Sequence, residues 1–138
     1  MTETDILIVE DDKDIATVLG DFLRAKGYVV SIASDGKKAL ALYERYGARL
    51  LILDLMLPGV EGLEVLNHIR KESNTPVLIA SAKNSKEDKL DGLMAGADDY
   101  IEKPYDIDIL LAKIDGIFKR RYAKDRMENG DICLDREG

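Results

Sequence analysis

Short apolar runs alternate with longer amphipathic stretches along this chain. Ile6 to Val9 is an apolar run of strand length, closed by Glu10, Asp11 and Asp12. From Asp14, apolar residues recur at Ile15, Val18, Leu19, Phe22 and Leu23, the spacing of one helix face. Gly27 follows the basic end of that stretch and predicts its stop. Tyr28 to Ile32 is β-branched and aromatic, hence a second strand. Asp35 opens a second helix through Ala39, Leu40, Leu42 and Tyr43, ending near Gly47. Leu50 to Leu53 is apolar at every position, as expected where both faces of a parallel sheet are covered, and Asp54 ends it. Pro58, Gly59 and Gly62 mark a loop from Leu55 to Gly62, and Leu63, Val65, Leu66 and Ile69 predict a third helix. Pro76 to Ala80 reads as a fourth strand and Asn84 to Ala95 as a charged, weakly amphipathic fourth helix. Asp99 to Ile101 is a short fifth strand, and Asp106 to Arg121 a strong fifth helix.

Five strand–helix units in succession predict an α/β fold. Right-handed crossovers build them into a parallel sheet with helices on both faces. The expected architecture is flavodoxin-like: a doubly wound five-stranded sheet, order 2-1-3-4-5, with five helices. Residues 1–121 would form that domain. The pattern then changes. Lys119 to Arg126 is basic and polar, and Asn129 to Asp135 (NGDICLD) carries a turn signal before a strand-like alternation. Residues 122–138 are therefore expected to be a linker and the start of a further, truncated domain.

Composition narrows the function. A hydrophobic fraction of 46% supports a core, and the charged 34% is interspersed rather than blocked, which argues against disorder. The net charge of −7, from 20 basic and 27 acidic residues, makes direct nucleic-acid contact by this segment a poor expectation. Cys133 is the single cysteine, without a partner for an internal disulfide, which fits a reducing cytoplasm. The opening MTETDILIVEDD lacks a basic stretch followed by an apolar one, and no apolar run is of bilayer length. The expected localisation is cytoplasmic.

Candidate chemistry gathers at the strand ends. In an open parallel sheet, ligands bind beyond the carboxyl ends of the strands where the strand order reverses. For order 2-1-3-4-5 that point lies between strands 1 and 3, followed by Glu10, Asp11 and Asp12, and by Asp54. Carboxylates this close repel one another unless a cation intervenes, and hard oxygen donors with partial hydration suit magnesium, Mg2+. The bland alternative is that the acids after strand 1 cap the first helix, which Asp12 is placed to do. Strands 4 and 5 lead to Ser81 and Lys103, a hydroxyl donor and a cation for a phosphate or a carboxylate. Lys103 precedes Pro104, and a cis bond there would direct the lysine inward. Asp54 stands alone at the end of a buried strand and is the natural nucleophile toward phosphorus, forming an acyl phosphate. Glu10 and Asp11 would hold the metal, with the backbone carbonyl of Met56 as a further ligand. His68 lies within the third helix, away from the strand ends, and reads as a surface residue.

ILIVEDD, LLILDLMLPGVEG, PVLIASAK and GADDYIEKPY resemble, in order, the signature blocks of response-regulator receiver domains of bacterial two-component systems. The resemblance runs from about Asp5 to about Arg121. It implies that Asp54 is the phosphoacceptor, Glu10 and Asp11 the acidic metal-binding pair, and Lys103 the lysine of the site. Ser81 takes the place of the switch Ser/Thr, and Tyr100 that of the switch aromatic. A sensor histidine kinase would donate the phosphoryl group. Ser81 and then Tyr100 would turn inward, changing the face made of helix 4, strand 5 and helix 5. The Glu-Asp pair, GADDY and the length of helix 5 are most similar to the OmpR/PhoB type, whose C-terminal winged-helix domain binds DNA; NGDICLD resembles the start of that domain. The resemblance also implies a homodimer on activation through the helix 4/strand 5/helix 5 face. Lys89, Asp98, Asp99, Lys113 and Arg120 stand at positions of its charged network. Ile109 replaces an acid usual there, and Asp115 puts an acid where a base is common.

Three other readings are weaker. A phosphatase using an aspartyl phosphate needs two acids two residues apart after the first strand; Asp12 and Asp14 have that spacing but are more simply a helix start. A flavin or nucleotide binder needs a Gly/Ser/Thr-rich loop after strand 1, where this chain carries acids. A receiver that no longer accepts phosphate is disfavoured because every site position is filled.

Overall fold

The computed structural model describes residues 3–57, 62–82 and 85–129. The elements run β1 (Ile6–Val9), α1 (Lys13–Ala25), β2 (Val30–Ala33), α2 (Gly36–Tyr46), β3 (Leu50–Leu53), α3 (Gly62–Glu72), β4 (Val77–Ser81), α4 (Lys86–Met94), β5 (Asp99–Glu102) and α5 (Ile107–Asn129). All strand pairs are parallel, in the order β2-β1-β3-β4-β5. The fold class and strand order therefore agree with the sequence pattern. Two units divide the chain, Met1–Tyr105 with the sheet and first four helices, and Asp106–Gly138 with α5.

The central strands carry the core. Every residue of β1, β3 and β4 is buried, which is why those runs are apolar throughout. Side chains such as Leu7, Leu51 and Leu78 are at most 1% exposed, and each such burial contributes roughly 1.5–3 kcal/mol. The edge strands β2 and β5 are only partly covered.

Local chemistry sets most element ends. Asp12 caps α1, its carboxylate accepting from the Asp14 and Ile15 amides at 3.0 and 3.2 Å. Asp35 caps α2 through the Lys38 amide at 2.8 Å, and Ser85 and Asp88 form a reciprocal capping box at the start of α4. Gly62 opens α3 at a point where a Cβ would lie 2.6 Å from both the Asp54 carbonyl oxygen and Leu55 Cα. Only glycine lets the helix start so close to the chain leaving β3.

Four expectations are corrected. The buried stripe of α1 is Ala16, Leu19, Gly20 and Leu23, whereas Val18 and Phe22 are 54% and 46% exposed. Two small residues line the true face and the bulkier ones flank it. β2 begins at Val30 rather than Tyr28, because the Tyr28 amide donates to the Leu23 carbonyl and the Val29 amide to Asp5 Oδ2. β4 extends to Ser81. α5 does not stop at Arg121 but continues to Asn129. The basic segment read as a linker is rich in helix formers, and no Gly or Pro interrupts it before Gly130. The four-residue stretch containing Pro58 and Gly59, the predicted helix start at Asn84, Cys133 and most of NGDICLD lie outside the described residues.

Arg70 ties the end of the sheet opposite the acids together. Its Nε and Nη2 donate to the Gly96 carbonyl at 3.0 and 2.8 Å, and Nη1 donates to the Thr75 carbonyl. Nη2 also pairs with Asp98 at 3.0 Å, and Asp98 Oδ1 accepts the Val77 amide at 2.9 Å. Arg70→Met strands these acceptors and is expected to cost about 2–3 kcal/mol in urea unfolding with an unchanged slope. Asp21→Asn, which breaks only an exposed contact to Arg24, is expected to cost less than about 0.5 kcal/mol.

Candidate functional site

The pairing register builds the site. Val9 stands beside Leu53, so the next residues, Glu10 and Asp54, emerge together at the carboxyl edge of β1 and β3. Their backbones continue the ladder: the Glu10 amide donates to the Ala33 carbonyl and the Asp54 amide to Val9, at 3.0 and 3.1 Å. Glu10 and Asp54 are buried, at 6% and 5% exposure, while Asp11 is open to solvent. One carboxylate oxygen from each of Glu10, Asp11 and Asp54 lies within 4.8 Å of the others.

Lys103 reaches this cluster from the segment after β5. Its ammonium donates to Asp54 Oδ2 at 2.8 Å and to Glu10 Oε1. The other oxygens accept backbone amides, Asp54 Oδ1 from Met56 at 2.9 Å and Glu10 Oε2 from Asp12 at 3.2 Å. The Lys103–Pro104 bond is cis, the alternative named from the sequence. The Lys103 amide donates to the Ser81 carbonyl at 3.0 Å, hanging the lysine segment from β4. Ser81 is fully buried. Its hydroxyl is hydrogen-bonded to the phenol of Tyr100, which is half-buried on β5.

The electrostatics follow from burial and pairing. Desolvation raises the Glu10 pKa above 4.5; the Lys103 and Asp12 hydrogen bonds oppose this without cancelling it. At Lys103 burial is the largest single influence and works downward. The hydrogen bonds to Asp54 and Glu10 and the negative charges of those two carboxylates together outweigh it, so the pKa is raised and the ammonium stays charged. Tyr100 is raised by burial, then by the Asp88 charge.

Glu10, Asp11, Asp54, Ser81, Lys103 and, through Ser81, Tyr100 are thus brought together. Met56 is adjacent through its amide. His68 lies on α3, half-exposed, 3.4 Å from Glu72, as a surface residue. Tyr105 was not anticipated. Its phenol is raised by burial and feels the charges of Lys103, Glu10 and Asp54. Its place two residues after the lysine was the available signal. Of the positions assigned to a dimer face, Lys89 pairs with Glu102 and Asp98 with Arg70 within the chain, and the apolar Ile109 is exposed.

The donor set fits a small hard cation. Three carboxylate oxygens converge, the cluster found among the described residues contains no sulfur or imidazole, and Asp11 is exposed to water.

The family model for the response regulator receiver domain matches residues 6–115. The chain is 44% identical over 136 residues to "Response regulator ArlR" of Staphylococcus epidermidis, covering 97% of this chain and 61% of that protein. It is 39% identical over 140 residues to "Sensory transduction protein RegX3" of Mycobacterium tuberculosis, covering 97% and 62%. The chain therefore spans about three-fifths of the length of these relatives. Among solved structures, the Francisella response regulator 1452 receiver domain aligns with a TM-score of 0.80 at 37% identity, covering 86% of this chain and 98% of that one. This chain belongs to the response-regulator receiver-domain family. Among the described residues, no helix is long and apolar enough to cross a membrane.

The raised Glu10 pKa has a measurable sign. A folded value above 4.5 means that the folded chain binds this proton more tightly than the unfolded chain. The stability contribution is full below the unfolded value and is lost as pH rises through the folded one. In metal-free buffer, urea unfolding above pH 4.5 should show the native chain losing stability that Glu10→Gln retains. Parallel pH profiles would show that ionised Glu10 carries no burial cost.

Proposed function

We propose that this chain takes a phosphoryl group from a sensor histidine kinase onto Asp54 and passes the change to its surface. The carrying observation is the buried Asp54 carboxylate at the end of β3, within reach of Glu10 and Asp11 and bound by Lys103 at 2.8 Å. An Asp54 carboxylate oxygen attacks phosphorus; the P–O bond forms as the donor's P–N bond breaks, and the leaving imidazole keeps the bonding electrons and takes up a proton. Lys103 gives up its contact with Asp54 for the incoming phosphoryl oxygens, and Ser81 supplies a hydroxyl to them. Glu10, Asp11, Asp54 and the Met56 carbonyl would hold Mg2+. When bound, it neutralises charge on the transferring phosphoryl oxygens. Apart from forming and losing its own acyl phosphate, the domain acts as a signalling module.

Ser81 and Tyr100 then act as the switch pair, supported by the hydrogen bond between them. The full-length protein is proposed to be a cytoplasmic transcriptional regulator of the OmpR/PhoB type. It would contact DNA only through a C-terminal domain and dimerise on activation through α4, β5 and α5. A phosphatase using Asp12 and Asp14 is the weaker reading, because the Asp12 carboxylate is committed to the α1 cap.

Incubation with acetyl phosphate and Mg2+ should add one phosphoryl group, read by intact-protein mass spectrometry. Asp54→Asn should abolish the addition while leaving the fold intact. Undiminished labelling of that variant would overturn the assignment.

A further inference from the structure

α4 is an unusual helix in this fold. Within it Gly92 is the buried residue, while Leu90, Leu93 and Met94 are 47%, 45% and 85% exposed. The helix thus seats on the sheet at a position with no side chain. A Cβ at 92 would stand 2.6 Å from Ile79 Cδ1 and 3.4 and 3.5 Å from Cε2 and Cδ2 of Tyr100. Ile79 is fully buried and lies beside Tyr100 in the β4–β5 register. Backbone at 92, the Ile79 side chain and the Tyr100 ring therefore meet at one point. Three residues earlier, on the same helix side, Lys89 forms a half-exposed ion pair with Glu102 of β5, a contact of low intrinsic strength.

We propose that Gly92 is the positioning residue through which the state of Asp54, Ser81 and Tyr100 reaches α4. The proposal rests on the phosphoacceptor reading above. The Ser81 hydroxyl bonds the Tyr100 phenol, and the Cε2–Cδ2 side of the same ring borders Gly92. A phosphoryl group on Asp54 competes for the Ser81 hydroxyl. Once the phenol loses that partner, the ring resettles, and its edge moves against the backbone of α4. A methyl group at 92 must displace Ile79 Cδ1, on a side chain that is fully buried, or lift α4 away from Tyr100. Lifting α4 breaks the contact that carries the signal and leaves the carboxylate site untouched.

The test uses the full 138-residue chain labelled with 3-fluorotyrosine. The Tyr100 fluorine resonance is assigned by its loss in Tyr100→Phe, and hydrogen exchange of residues 86–94 reports on α4. In the native chain, acetyl phosphate with Mg2+ should shift the Tyr100 resonance and change exchange across α4. Gly92→Ala should take up phosphoryl to the native extent, show a displaced Tyr100 resonance beforehand, and lose the α4 response. Adding Ile79→Val removes the obstructing Cδ1, so the double variant should recover both. A Gly92→Ala chain whose α4 responds as the native one does would overturn the proposal. So would a folded, phosphorylated double variant that stays uncoupled. Failure of the native chain to accept phosphoryl would instead overturn the Asp54 reading, and this proposal with it.

Discussion

The site depends on one cation, the Lys103 ammonium bound to two buried carboxylates. Glu10 and Asp54 are placed side by side by the register of β1 and β3, and both are shielded from water. Removing two like charges from solvent is costly unless a counter-charge shares the site and the remaining oxygens are hydrogen-bonded. Lys103 supplies the charge, and the Met56 and Asp12 amides supply the remaining bonds. The sheet order makes the arrangement possible: β1 and β3 are neighbours, while β4 delivers Ser81 and the segment after β5 delivers the lysine.

Much of this was legible in the sequence, for identifiable reasons. Central strands of a parallel sheet are apolar at every position, so ILIV, LLIL and VLIA announced themselves. The residue after such a run must sit at the sheet edge, which located Glu10 and Asp54 without any geometry. Asp12 and Asp35 were readable as caps because a carboxylate before a periodic stretch has a local partner. Where partners are distant in sequence, the reading ran out. Arg70 bonds carbonyls at Thr75 and Gly96, and nothing local in "HIRKES" points to them. The seating of α4 on Gly92 was equally invisible, since hydrophobic periodicity is blind to a helix that packs through a missing side chain. For the same reason Ala16 and Gly20 were passed over in favour of Val18 and Phe22. The end of α5 was misplaced because polarity was taken for the end of the helix, although the residues concerned favour helix.

The first unit is therefore unevenly built. β1, β3 and β4 are sealed by apolar contact on every residue, and Arg70 fastens the far turns with a charged side chain that is 19% exposed. α4 has the fewest buried residues of the first four helices, and its ion pair to β5 is half-exposed. An element held so lightly beside a rigid sheet is the natural place for a small local change to become visible.

The main chain at the reactive edge leads to one more consequence. The Asp54 amide is spent on Val9, and the Lys103 amide on the Ser81 carbonyl. Under the proposed function, chemistry at the carboxylate would occur at a strand end whose backbone is already paired into the sheet. Loss of the phosphoryl group from the proposed site would then leave the same paired edge behind, open to another round.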